Sequence, residues 1–221
     1  LYGIHGRALL QIMKIRFFII ILAMSSLLHS EENFGIVVHG GAGVMSGLSE
    51  ERQQEIHKKI QETVSEAYDI LEKGGSSLDA VELAVSMLED SPLFNAGRGS
   101  VYNSDEVQEM DASIMDGKNR LSGAVASVTS VKNPIKLARK VAEETKHVLL
   151  MGDGAERFAK DIGVDIVEKD YFYNEERLKR LRNSKKKISK LNESTDKIGT
   201  VGAVALDLSL IHISEPTRPM N

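Results

Sequence analysis

The chain has 221 residues, room for one ordinary domain, and 42% of them are apolar, enough for a packed core and too many for wholesale disorder. With 28 Lys and Arg against 32 Asp and Glu, a net charge of −4 gives no general attraction for nucleic acid or an anionic membrane surface. There is no cysteine, which excludes disulfide scaffolds, thiolate zinc sites and thiol nucleophiles, and with no tryptophan the core must be aliphatic and alanine-rich.

Residues 1–12 precede Met13 and read as translated upstream sequence. From Met13-Lys14-Ile15-Arg16 the order is basic, then apolar, then small, and 13–30 reads as a secretory signal peptide. Its apolar run is shorter than the roughly 20 residues that cross a bilayer, so the expectation is a secreted, periplasmic or secretory-pathway protein without stable membrane anchoring.

A short apolar strand over 34–39 feeds the glycine-rich turn His39-Gly40-Gly41-Ala42-Gly43. Ile56, Ile60, Val64, Ala67, Tyr68 and Leu71 recur on one face of a helix over 49–73, which Gly74-Gly75 stops. Ser76-Ser77-Leu78-Asp79 has the pattern of a capping box and opens a second helix through Leu88, with Ala80, Val81, Ala84, Val85 and Leu88 as its buried stripe. The stretch 91–103 is a turn-rich loop. Met110, Ala112 and Ile114 alternate with Asp111 and Ser113 as a strand, and 123–131 is a second strand, the two suggesting a hairpin. Asn133-Pro134 starts a helix reaching Thr145, 147–151 is a strand, Gly152-Asp153-Gly154 a turn and 155–161 a short helix. The charged stretch 171–197 shows no apolar period and reads as a solvated linker rather than a nucleic-acid patch, and 200–206 returns to buried-strand composition. The fold class is α/β with layered sheets. Residues 209–221 carry two prolines among polar residues and read as a tail foreign to the fold.

Of six histidines, His39, His57 and His147 fall inside the domain, and none forms an H-E-x-x-H or other metal spacing. No G-x-S-x-G elbow occurs either. The glycine loop at 39–43 admits a ligand to backbone N–H groups, or is a plain tight turn. Ile198-Gly199-Thr200-Val201-Gly202 joins the charged linker to a strand. A cut before Thr200 places a free α-amine, with a pKa of about 7.7–8.0, beside the hydroxyl on one residue and activates it without histidine or cysteine. The bland alternative is a threonine in an ordinary strand.

The glycine loop, 92–99 (PLFNAGRG), 110–117 (MDASIMDG), 123–126 (GAVA), Asn133-Pro134, His147-Val148, 152–156 (GDGAE) and 199–207 (GTVGAVALD) follow one another in the order of a known family. Together they resemble the plant-type L-asparaginase/isoaspartyl peptidase family of N-terminal-nucleophile hydrolases. The resemblance implies an αββα four-layer sandwich, incomplete in this chain, whose precursor cuts itself before Thr200. Residues 31–199 correspond to the α-subunit with its charged linker 171–197, and 200–208 to the first strand of the β-subunit. It implies hydrolysis of L-asparagine to L-aspartate and ammonia and cleavage of β-aspartyl dipeptides. Thr200 would be the nucleophile and, through its freed amine, the base; Gly199 would carry the scissile bond, Asn95 would support the nucleophile, and Gly40 and Gly41 would shape the cleavage site. No cofactor is required, but a structural sodium ion is implied on the backbone carbonyls of Leu88, Glu89, Ser91, Phe94, Ala96 and Arg98. The implied assembly is a dimer of αβ heterodimers.

Beyond Leu208 the family's second subunit has no counterpart here. Its second threonine, its Arg/Asp clamp on the substrate and its Thr-Gly oxyanion pair are unassigned, so this stretch alone is expected to be inactive. Two rivals remain. Glycosylasparaginase shares the threonine chemistry but typically has Asp where Gly199 stands, and a scaffold domain would keep the fold without activity.

Overall fold

The computed structural model describes residues 33–41, 45–188, 200–209 and 212–217. The upstream stretch 1–12, the signal-like segment 13–30, Ala42, Gly43 and Gly199 lie outside the described residues.

Strand β1 (Gly35–His39) leads to helix α1 (Glu50–Glu72), whose first turn Ser49 caps by accepting the Arg52 N–H at 3.3 Å. Thr63, Ala67 and Leu71, four apart, form its buried line, and Gly74 ends it with φ +78°. In α2 (Ser77–Glu89) the Ser76 hydroxyl accepts the Asp79 N–H at 3.1 Å and donates to the Asp79 carboxylate at 2.7 Å, so Ser76 is the N-cap read from the sequence, with the return bond going to its hydroxyl. Its predicted stripe of Ala80, Val81, Ala84, Val85 and Leu88 is fully buried.

Strands β2 (Met110–Asp116) and β3 (Leu121–Val128) form the expected antiparallel pair, with a register shift between Met110 and Ala112. At the shift Ser127 takes φ +53°, and its N–H is held by the Asp111 carboxylate at 2.8 Å. Helix α3 (Pro134–Glu144) starts at its proline and buries Ile135, Leu137, Ala138 and Val141. Strand β4 (Leu149–Met151) pairs parallel with β3. Gly152 opens helix α4 (Gly152–Asp161) directly, so the expected turn at 152–154 is the first turn of a helix, with Asp153 suiting its positive end.

The charged stretch differs most from its reading. It contains helix α5 (Glu175–Ile188), capped by Asn174, whose side chain accepts the Arg177 N–H at 3.0 Å. Glu175–Lys179 (2.7 Å) and Glu176–Arg180 (2.5 Å) pair four residues apart. Arg177, Leu178, Leu181 and Ser184 make a half-buried line, a weak helical period that the surrounding lysines and arginines hide from a hydropathy reading.

Strand β5 (Val201–Leu206) lies at the centre of one antiparallel sheet, between β1 and β6 (His212–Thr217), with His39 opposite Gly202 and Val37 opposite Val204. The other sheet has the order β2-β3-β4. Helices α1 and α2 cover the first sheet and α3 the second, which makes the fold mixed α/β with two sheets. The opposite face of the first sheet bares Val37 (71% exposed) and Val204 (41%). Among the described residues no helix is long and apolar enough to cross a membrane.

Asp207, just past β5, ties this strand to α2. Its Oδ2 accepts the Ser77 N–H at 2.9 Å and the Ser77 hydroxyl at 2.8 Å, at the positive end of the helix. Partial burial alone would raise its pKa, but hydrogen bonds from Ser209 and Ser77 outweigh it and hold the carboxyl at about 2. A carboxylate depressed below its unfolded value stabilises the fold fully above about pH 4 and loses that contribution as pH falls towards 2. Thermal melts across pH 2–7 are expected to show a steeper acid loss for the wild type than for Asp207→Asn.

Candidate active site

Thr200 immediately precedes β5, and β1 brings the glycine loop beside it. A Cβ on Gly41 would sit 3.0 Å from the Thr200 carbonyl oxygen and 3.7 Å from its nitrogen, and Gly41 takes φ +112°, where side chains are strained. A Cβ on Gly40 would lie 2.9 Å from Ile60 Cδ1 and 3.0 Å from Phe94 Cε1. Gly40 therefore rests on the ring of Phe94, the neighbour of Asn95. The two glycines link the threonine to the loop after α2.

The Thr200 hydroxyl oxygen is buried and has no hydrogen-bond partner among the described residues. A buried hydroxyl without a partner costs about 1–3 kcal/mol, a penalty that the Ser86 and Ser130 hydroxyls share among the described residues.

Asn95 is 7% exposed, and its Oδ1 accepts the Val101 N–H at 2.9 Å, closing the loop over the short helical turn Gly97–Gly99. Gln108 donates to the Ser100 carbonyl at 2.8 Å and secures the far side. Asn95 thus sits in the loop that contacts the glycines, and its Oδ1 helps to hold that loop.

Glu89 ends α2 with its side chain 1% exposed. Its Oε1 accepts the Ile135 N–H at 3.1 Å at the start of α3, whereas Oε2 is buried without a partner among the described residues. Burial pushes its pKa up to about 8, against the opposing pull of the Ile135 N–H and the Asn133 side chain, so the group carries its proton at neutral pH. It borders, with Asn95, Ser100 and Asp111, a cavity of about 10 Å³, the room of one water. Sequence reading placed only the backbone of Glu89 in the site. The signal for the side chain was its position four residues beyond Val85, in line with the buried stripe.

The loop suits a hard cation. A Cβ on Gly97 would fall 2.2 Å from the Glu89 carbonyl oxygen and one on Gly99 1.9 Å from that of Phe94, so these oxygens pack directly against the backbone of the glycine turn. The carbonyls of Leu88 and Ala96 accept turn N–H groups from Ser91 (3.2 Å) and Gly99 (3.0 Å) and keep a second lone pair. Such neutral oxygen donors fit an alkali ion better than a transition metal. The Arg98 guanidinium points away, 5.2 Å over the ring of Tyr171. Among the described residues no cluster of three or more His, Asp and Glu forms a metal site.

A family model described as asparaginase matches residues 32–214. The isoaspartyl peptidase/L-asparaginase of Rattus norvegicus is 48% identical over 175 residues, covering 78% of this chain and 51% of that protein. The protein of the same name from Homo sapiens is 46% identical over 173 residues, 78% of this chain and 56% of its own, and that from Xenopus laevis 48% over 174, 78% and 55%. The chain spans about half the length of the curated relatives it matches.

Proposed function

The chain belongs to the asparaginase family, and on that premise we propose that the whole protein is a self-cleaving threonine amidohydrolase acting on L-asparagine and β-aspartyl dipeptides. The observation that carries this reading is Thr200 at the head of β5, its backbone held against Gly41 and its hydroxyl buried without a partner among the described residues.

In the first stage the Thr200 hydroxyl attacks the Gly199 carbonyl, the peptide nitrogen becomes the α-amine of Thr200, and the acyl group passes to the oxygen as an ester. Water hydrolyses the ester and releases the Gly199 carboxylate. In the second stage the same oxygen attacks the β-carbonyl of the substrate while the α-amine takes its proton and passes it to the departing ammonia or amino acid. Water then resolves the acyl-enzyme to aspartate. Gly40 and Gly41 leave the backbone room for the tetrahedral carbon, and Asn95 supports the nucleophile. The carbonyls of Leu88, Glu89, Ser91, Phe94, Ala96 and Arg98 would hold a sodium ion, which supplies a fixed positive charge that shapes the loop and takes no part in the bond changes. No other cofactor is needed.

The apolar face with Val37 and Val204 supports a four-layer arrangement in which a further part of the protein covers this sheet. The whole protein is read as a dimer of αβ heterodimers, exported by the signal-like segment 13–30. The residues that would grip the substrate have no counterpart here, so this stretch by itself is expected to release no ammonia from asparagine. The deciding experiment is intact-mass analysis with amino-terminal sequencing of the full-length protein. Two polypeptides are expected, the second beginning at Thr200, together with ammonia release from asparagine. A single uncut chain that still hydrolyses asparagine would overturn the mechanism.

A further inference from the structure

The first half of the charged stretch follows the loop of the candidate site residue by residue. The Tyr171 hydroxyl donates to Asp90 Oδ1 at 3.3 Å, and the Arg98 guanidinium covers the Tyr171 ring. Phe172 is 1% exposed, a buried aromatic anchor. The Asn174 N–H donates to the Tyr102 hydroxyl at 3.1 Å. Further along α5, Arg182 grips Glu106 with both arms, Nε to Oε1 at 2.9 Å and Nη2 to Oε2 at 2.6 Å, and Lys185 donates to the Ser104 carbonyl.

The loop is shaped to receive this helix. Asn103 Oδ1 accepts the N–H groups of Asp105 (2.9 Å) and Val107 (3.0 Å), and Glu106 occupies the left-handed region at φ +60°, presenting its carboxylate outward. From within, the same loop is held by Asn95 Oδ1 on the Val101 N–H. One side of the loop therefore faces the candidate nucleophile's support, and the other carries the helix.

We propose that residues 171–185 are a positioning brace for the loop that carries Asn95, docked before and after the cut at Thr200, rather than a spacer discarded by it. This rests on the reading of Thr200 as the nucleophile. Glu106 and Arg182 are positioning residues: they touch no substrate, and they act by limiting the excursions of residues 101–107 and so of the Asn95 carboxamide. Their pair is largely solvent-exposed, so the expected effect is modest.

The test uses the full-length protein with Arg182→Glu, Glu106→Arg and the two combined, and Asn183→Glu as a control that places a glutamate on the neighbouring exposed helix surface. Each single reversal is expected to slow self-cleavage and lower kcat by about two- to five-fold with KM nearly unchanged. It should also speed hydrogen exchange at 101–107. The double reversal restores all three, and the control matches the wild type. Wild-type cleavage and turnover with single reversals that leave both rates and exchange unaltered would overturn the brace and leave the Thr200 reading standing. Faster exchange at 101–107 without a change in either rate would reduce α5 to a structural contact and overturn the positioning role. A wild type that never cuts before Thr200 would overturn the Thr200 reading and, with it, this role.

Discussion

Replacing Thr200 with valine is expected to leave the full-length protein uncut and to lower amide hydrolysis by at least about 10³-fold, while making the fold slightly more stable. Valine keeps the shape of threonine and removes only the oxygen. Because that oxygen is buried without a partner among the described residues, its loss relieves a desolvation penalty instead of breaking a bond. The expected gain is about 1 kcal/mol. Thr200→Ser restores the oxygen and should recover cleavage at a reduced rate, since serine lacks the methyl group that restrains the side-chain rotamer. The pairing of lost chemistry with raised melting temperature separates a nucleophile from a packing residue, for which the same substitution lowers stability. Mass spectrometry of the purified variants together with thermal melts checks both halves. A Thr200→Val protein that still splits, or that melts well below the wild type, contradicts the assignment.

The second large effect is structural and lies in the loop. Gly97 takes φ +48°, and a Cβ there would fall 2.2 Å from the Glu89 carbonyl oxygen, inside any tolerable contact. Gly97→Ala therefore combines left-handed strain with a backbone clash that no rotamer change relieves, at a cost of about 3 kcal/mol or more. For a chain of this size the melting temperature should fall by about 6–12 °C. Gly74→Ala is the internal comparison: it has φ +78° but nothing within 4 Å of the added carbon, so it carries the strain alone. A loss of about 1 kcal/mol is expected for it, and denaturant titration of both variants separates the clash from the torsion. Equal losses would mean that the Glu89 carbonyl yields and that the loop is softer than its geometry implies.

The helix cap at Ser76, the buried stripe of α2 and the β2–β3 pairing were all legible in the sequence, because each depends on residues within a few positions of one another. The family was legible for a related reason: its marks are short ordered motifs, and the one at Gly199-Thr200 names the candidate nucleophile. The helix at Glu175–Ile188 was not, since its apolar line is two leucines among lysines and arginines and its stability comes from the cap at Asn174 and from contacts with residues 102–106.

By itself, then, the sequence determined the identity of the candidate nucleophile, the glycines beside it and the alternation of helices and strands, all of which are written in local spacing and side-chain type. Tertiary structure alone decided that Gly41 meets Thr200, that Glu89 is buried and its pKa raised, that Asp207 fastens β5 to α2, and that α5 lies along the loop of Asn95. Each of these joins residues far apart in the chain. Their energies come from burial and from hydrogen bonds between segments, and these exist only once the sheet and helices have brought the partners together.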